Sequence, residues 1–283
     1  MAGLPKGFKR GLLVGGIAAV VARLVMNKDT RDSVTGKLME GAGALPLLGS
    51  RLYGRFADQF MSDSYRAIAE EILAEARSGE LLELGSGPGH LAQELAQRAR
   101  DLQITAMDIS GDMVQMTEAR IHEAGLGSQV KVVHGDAMDI PFPSESFDYV
   151  VSMGALHGWM APEIVLREIH RVLKPGGKVW IYDLRRETAQ DDWDEVRRQV
   201  PLTSQPLFDM GVMNPWRSAL DEEQIRSFVL KSPFASPAIA PVEAEMAYMR
   251  LPAFTRVVLE KRPAAPIYPP PPAEPTEGTG QQA

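Results

Sequence analysis

Apolar positions along this chain follow two alternating rhythms. Residues 80–84, 103–108, 130–134, 147–153 and 178–184 are short, mostly apolar runs, the fourth rich in Val and Tyr, which predict strands. Between and around them, residues 63–76, 89–98, 112–124, 162–173 and 221–230 repeat apolar side chains every three or four positions, which predicts helices. Pro162 fits the first turn of its helix, and Pro175-Gly176-Gly177 predicts a turn before the fifth strand. Strands alternating with helices predict an α/β fold, a Rossmann-like, mostly parallel sheet with helices on both faces. Two late strands, near 239–248 and 254–260, bring the count to seven. Their connection is too short for a parallel crossover, so the last strand is expected to run antiparallel.

The rhythm fails at both ends. Residues 11–26, GLLVGGIAAVVARLVM, are apolar except for Arg23. As a helix they span about 24 Å, short of the roughly 30 Å of a hydrocarbon core, unless Phe8 extends the run and Arg23 snorkels. Three readings stand: a membrane-associated helix, a buried or oligomer-contact helix, and a signal peptide with Lys6, Lys9 and Arg10 ahead of its apolar stretch. No small-x-small cleavage site ends the run, which counts against the signal peptide. At the other end, seven prolines between Pro263 and Pro275 preclude a packed element and predict a disordered, polyproline-like tail. The expected division is a basic apolar segment at 1–50, one domain at 51–261 and the tail at 262–283.

Composition narrows the partners. The chain has 283 residues, 45% of them hydrophobic, enough for one sizeable core. A net charge of -7 argues against a nucleic-acid partner. Lys6, Lys9, Arg10, Arg23 and Lys28 sit in a stretch without any acid, so the acidic excess lies in the body. A cationic, apolar head on an anionic body points to an anionic membrane surface; the expected location is the cytoplasm, free or held to a membrane's cytoplasmic face through residues 11–26. There is no cysteine, which excludes disulfides, thiolate metal sites and cysteine nucleophiles and leaves the redox compartment open. His90, His122, His134, His157 and His170 do not pair at helical spacing with a carboxylate set, so no metal site is expected. The sequence leaves the oligomeric state open.

The sharpest chemical signal is Leu82-Glu83-Leu84-Gly85-Ser86-Gly87-Pro88-Gly89-His90. A strand running into a glycine loop and then a helix brings backbone N–H groups and a positive partial charge to a ligand. His90 stands where a dinucleotide fingerprint requires its third glycine, which disfavours a nicotinamide dehydrogenase, and the Gly-Lys-Ser/Thr of a P-loop is absent. An acid, Asp108, ends the second strand; Asp136 follows the third; residues 166–177, LREIHRVLKPGG, precede the fifth.

Together, Glu83 with Gly85, Gly87 and Gly89, then Asp108-Ile109-Ser110, His134-Gly135-Asp136-Ala137, residues 146–152 and LREIHRVLKPGG resemble class I S-adenosylmethionine (SAM)-dependent methyltransferases, nearest the ubiquinone and menaquinone branch with its type 11 domain. The resemblance covers roughly residues 51–185 and weakens toward 261. It implies SAM as cofactor: Glu83 near the methionine ammonium, Gly85, Ser86, Gly87 and Gly89 beneath the cofactor, Asp108 with Ile109 at the ribose, and Asp136 with Ala137 around the adenine. It also implies that Tyr53 covers the cofactor. The plainer roles, helix caps and turns, stand beside these for Asp108 and Asp136. His157, in the loop after the fourth strand, is the candidate base; Tyr182 and Asp183 lie at the end of the fifth. Trp159, Met160 and Trp216 fit core or cap packing better than a substrate platform. The expected activity is methyl transfer to a small lipophilic acceptor, a quinone precursor or lipid, with a catalytically inactive SAM-fold binding subunit as the alternative.

Overall fold

The computed structural model describes residues 45–234, 237–246 and 249–263. The apolar segment 11–26 and the proline-rich stretch therefore lie outside the described residues. Two helices, α1 (Leu45–Phe60) and α2 (Ser62–Leu73), precede the sheet. α1 runs unbroken across residue 50, so the expected division at 50/51 is not an element boundary.

The sheet has seven strands in the order β3-β2-β1-β4-β5-β7-β6. They are β1 (Ser78–Leu84), β2 (Asp101–Asp108), β3 (Val130–His134), β4 (Phe147–Met153), β5 (Leu173–Leu184), β6 (Ala238–Met246) and β7 (Met249–Glu260). β1 to β5 are parallel, and β7 pairs antiparallel with both β5 and β6. This is the Rossmann-like sheet, with its antiparallel last strand, that the residue pattern predicts. Between the strands lie α3 (His90–Arg98), α4 (Gly111–Glu123), α5 (Pro162–Val172) and, before β6, α9 (Glu222–Leu230). Local chemistry fixes their starts. Ser110 accepts from the Met113 amide at the head of α4, and Asp221 forms a capping box with Gln224 at the head of α9.

Alternation along each strand sends side chains into two cores. Leu81, Val151, Trp180 and Tyr182 face one core with α1, α2 and α3. Leu82, Leu84, Val150, Val179 and Ile181 face the other, with α5 and α9. Both faces of the central strands are therefore dry, which is why they read as continuous apolar runs.

Two features depart from the sequence reading. Pro175-Gly176-Gly177 is an irregularity inside β5, not a free turn: Gly176 donates to Lys261 O at 2.8 Å and Lys261 donates to Gly177 O at 3.0 Å. The segment between β5 and α9 holds helices that no periodicity announced: α6 (Gln190–Gln199), α7 (Gln205–Phe208), a π-helical turn (Asp209–Met213) and α8 (Asn214–Ser218). This cap closes on α1. Phe60 meets Phe208 edge-on at 5.8 Å, Gln59 donates to Ser204 at 3.1 Å, and a methyl on Gly211 would strike the Phe56 ring at 2.4 Å.

Candidate active site

The carboxyl ends of the parallel strands carry the chemistry, as expected of an open α/β sheet. β1 delivers the glycine loop. Gly85 and Ser86 both donate to Met107 O, at 2.8 and 3.1 Å, which ties the loop to β2. Gly87 and Gly89 have φ of 53° and 82°, a region that costs other residues energy. Gly89 also has no room for a side chain, because a Cβ there would lie 2.7 Å from Thr117 Cγ2. Gly87 differs: an added Cβ would meet only Tyr53 Cε1, at 3.8 Å. A methyl would fit on that backbone, in ordinary contact with the ring of Tyr53.

Asp108 braces the loop. Its Oδ2 accepts from the Gly87 amide and its Oδ1 from the Ser110 amide, both at 2.8 Å. Burial raises its pKa, and those two backbone bonds work against the rise. A carboxylate has about four lone-pair sites, so each oxygen keeps capacity for a further donor. Ile109, next along, is 66% exposed. Asp136 serves a turn: Oδ1 accepts from the Met138 amide at 2.8 Å, and its carbonyl accepts from the Asp139 amide at 3.0 Å. Ala137 packs half-buried against the second core.

Glu83 is 2% exposed, and its Oε2 is buried without a partner. Burial, and then the charge of Asp108, push its pKa up to about 8, eased only by a backbone hydrogen bond from Ala92 in the first turn of α3. The Ser86 hydroxyl is also buried and unpartnered. Two orphaned polar groups beside one loop mark where a polar ligand would complete the structure.

A second group of residues adjoins the loop. A Cβ on Gly85 would lie 2.6 Å from Ala155 Cβ, so the segment after β4 touches the cradle. Two residues on, His157 is held by Asp183 of β5. The His157 amide donates to Asp183 Oδ2 at 2.7 Å, and Nδ1 lies 2.8 Å from Oδ1. The pKa of His157 is raised: burial lowers it, but the hydrogen bond and charge of Asp183 outweigh burial. Tyr53 links the two groups. Burial raises its hydroxyl, a hydrogen bond with Tyr65 opposes this, and Asp183 and Asp108 both raise it further.

Other expected residues fall elsewhere. Tyr182 is wholly buried in the first core, its hydroxyl pKa raised by burial and by Glu71. Met160 is 91% exposed and packs in neither core, contrary to expectation, while Trp159 and Trp216 do pack. Tyr65 and Arg120, which hold the loop and α1 from behind, carried no sequence signal, being one more helix-face Tyr and one Arg among 30 bases.

Residues 82–181 match the family model described as a methyltransferase domain. The chain is 30% identical to a fatty-acid O-methyltransferase of Mycolicibacterium smegmatis over 179 residues, 62% of either protein. It is 31% identical to a ubiquinone/menaquinone biosynthesis C-methyltransferase of Geotalea daltonii over 121 residues, 42% of this chain and 52% of that one. It thus spans less than two thirds of either relative. In fold it is similar to a SAM-dependent methyltransferase of Methanococcus maripaludis, described there as putative, with TM-score 0.60 and 23% identity over 81% of this chain and 99% of that one. It is also similar to phosphoethanolamine N-methyltransferase 2 of Haemonchus contortus, solved with SAM, with TM-score 0.57 and 18% identity over 80% of this chain and 59% of that one. The cradle fits that cofactor: a buried acid with one unpartnered oxygen for an ammonium, a carboxylate with spare lone pairs for hydroxyls, and a glycine backbone free of side chains between them. What residues 82–181 form, on this sheet and around this loop, is a methyltransferase domain.

Proposed function

We propose that the chain transfers a methyl group from SAM to an oxygen of a small lipophilic acceptor. When bound, SAM supplies an electrophilic methyl on sulfur. Glu83 and Ser86 would meet its amino-acid end, Asp108 the ribose with Ile109 alongside, and the turn at Asp136 and Ala137 the adenine. The protein's remaining task is alignment and exclusion of water.

The observation that supports an acceptor which must lose a proton, here a hydroxyl, is the His157–Asp183 pair. A carboxylate on Nδ1 fixes the tautomer that leaves Nε2 free to accept a proton, the arrangement of a general base. Such a base matters for a hydroxyl or phenol, which must lose its proton as the methyl arrives. An acceptor that is already a carboxylate needs none.

The lipophilic part rests on other ground. The segment 11–26 is apolar between basic flanks, and Met160 and Leu202 are 91% and 82% exposed. We infer that the chain works in the cytoplasm, with its amino-terminal segment resting on an anionic membrane face. No helix of the described residues is long and apolar enough to cross a membrane. The test is turnover with labelled SAM over a panel of lipophilic phenols, hydroxylated lipids and fatty acids. Methylation of hydroxyl acceptors that His157→Ala abolishes, with SAM binding intact, supports the reading. Activity on fatty acids alone, indifferent to His157, refutes the role of the dyad.

A further inference from the structure

Arg120 on α4 reaches three elements at once. Its Nε donates to the carbonyl of Pro88 in the glycine loop at 2.8 Å. One NH group bonds Gln93 of α3 at 3.4 Å. The other meets Asp58 of α1 at 2.8 Å. One turn earlier on α4, Thr117 donates to the adjoining loop carbonyl, Gly87 O, at 2.7 Å. Asp58 Oδ1 also lies 3.2 Å from His90 Nε2, and the His90 ring stacks on Tyr65 at 5.0 Å and 12°. A polar cavity of about 280 Å³, lined among others by Asp58, His90 and Arg120, opens beside this junction. Five residues before Asp58 on the same helix, Tyr53 covers Gly87.

α1 therefore covers the glycine loop at Gly87 through Tyr53. Phe56 and Ala57 anchor α1 in the first core, whereas its polar joint to α4 is weak: the Asp58 side chain is 55% exposed, and exposed pairs contribute little and are screened by salt. We propose that Asp58 and Arg120 form a latch that shuts α1 over the glycine loop and sets how long the cofactor and its demethylated product stay bound. Both are positioning residues. Arg120 couples α1 to the loop, because one guanidinium holds Asp58 and Pro88 O together. The latch rests on the cofactor reading above, which binding of S-adenosylhomocysteine to the wild-type chain tests before any variant is made.

Asp58→Asn keeps the shape of the side chain and removes its charge. Hydrogen exchange over residues 51–60 should quicken about two- to fivefold, the range an exposed pair allows, while the amides of β1 and β4 keep their protection. Dissociation of S-adenosylhomocysteine should quicken by a similar factor. KM for SAM should rise with kcat unchanged or higher. In the wild type, added salt should speed dissociation; in Asp58→Asn it should not. Unchanged exchange over α1, or an unchanged dissociation rate, overturns the latch. A wild-type chain that binds no S-adenosylhomocysteine overturns the cofactor reading itself.

Discussion

Glu83 and Asp108 face the same glycine loop, and the charge of Asp108 adds to burial in holding a proton on Glu83 up to about pH 8. In the unfolded chain Glu83 would lose that proton near 4.5. Between those values the folded state binds the extra proton, so this group's contribution to stability falls as pH rises through the window. Glu83→Gln removes the dependence. Its melting temperature should exceed that of the ligand-free wild type by roughly 3–8 °C at pH 8 and by little at pH 4.5. The same variant should bind SAM at least about tenfold more weakly, since a charged hydrogen bond is worth roughly 1.5–3 kcal/mol. In the wild type at pH 7, an ammonium placed beside Glu83 should expel about one proton. Calorimetry in buffers of different ionisation enthalpy reads this directly, and no proton release means that Glu83 does not meet the ligand.

The dyad sets a second pH dependence. Asp183 raises the pKa of His157 above its ordinary 6.5, and a base must be unprotonated to act. Turnover should therefore climb with pH, with its midpoint above 6.5. Asp183→Asn should move that midpoint down and lower the plateau by about 10²–10⁴-fold, the usual worth of general base catalysis. A pH profile identical in the wild type and His157→Ala would remove His157 from the reaction.

Gly87 and Gly89 should separate function from folding. A methyl on Gly87 has space in the protein and costs about 1–2 kcal/mol for its backbone region, but it enters the volume read as the cofactor's. A methyl on Gly89 meets Thr117 at 2.7 Å, and the Thr117 backbone at 3.2 Å. Gly87→Ala should thus stay folded and lose SAM affinity, while Gly89→Ala should lose thermal stability first. Melting curves and SAM titrations of both variants check this, and equal affinities would dismiss the loop as the cofactor site.

Membrane attachment calls for a truncation that respects α1. A chain beginning at Leu45 keeps that helix whole, whereas one beginning at Arg51 cuts into it. The full chain should sediment with vesicles containing phosphatidylserine, each basic residue near the surface adding about 1 kcal/mol, and the shortened chain should not. Equal behaviour of the two would withdraw the membrane reading and the main support for a lipid acceptor.

The strands and the glycine loop were legible because they obey local rules. β3 and β4 begin and end where apolar runs do, and E-x-G-x-G-x-G puts a strand, a loop and a helix in fixed order. What escaped was set by distant partners. Pro175-Gly176-Gly177 looks like a turn until Lys261, far along the chain, joins it to the ladder. α6 shows only Trp193 and Val196 as buried apolar positions among charged ones, and residues 201–218 hold Pro201, Pro206, Gly211 and Pro215, which interrupt any helical period. The weight of Asp183 was equally hidden. In the sequence it is an acid at a strand end, and only the neighbouring strand brings His157 to it, 26 residues away.

The cap has a consequence for how this protein could diversify. Glu83 through Ala137, an unbroken stretch, supplies the loop and both acids beyond it, whereas residues 185–220 form a separate stretch of chain between β5 and α9. Its rewriting leaves the ladder from β1 to β5 untouched. Its fixed obligations are the fit to Phe56 and Phe60 of α1, the burial of Trp193 and Val196 in the first core, and the bond from Arg185 to Ala253 of β7. A lineage could exchange that stretch for one of another shape without redesigning the half that carries the glycine loop.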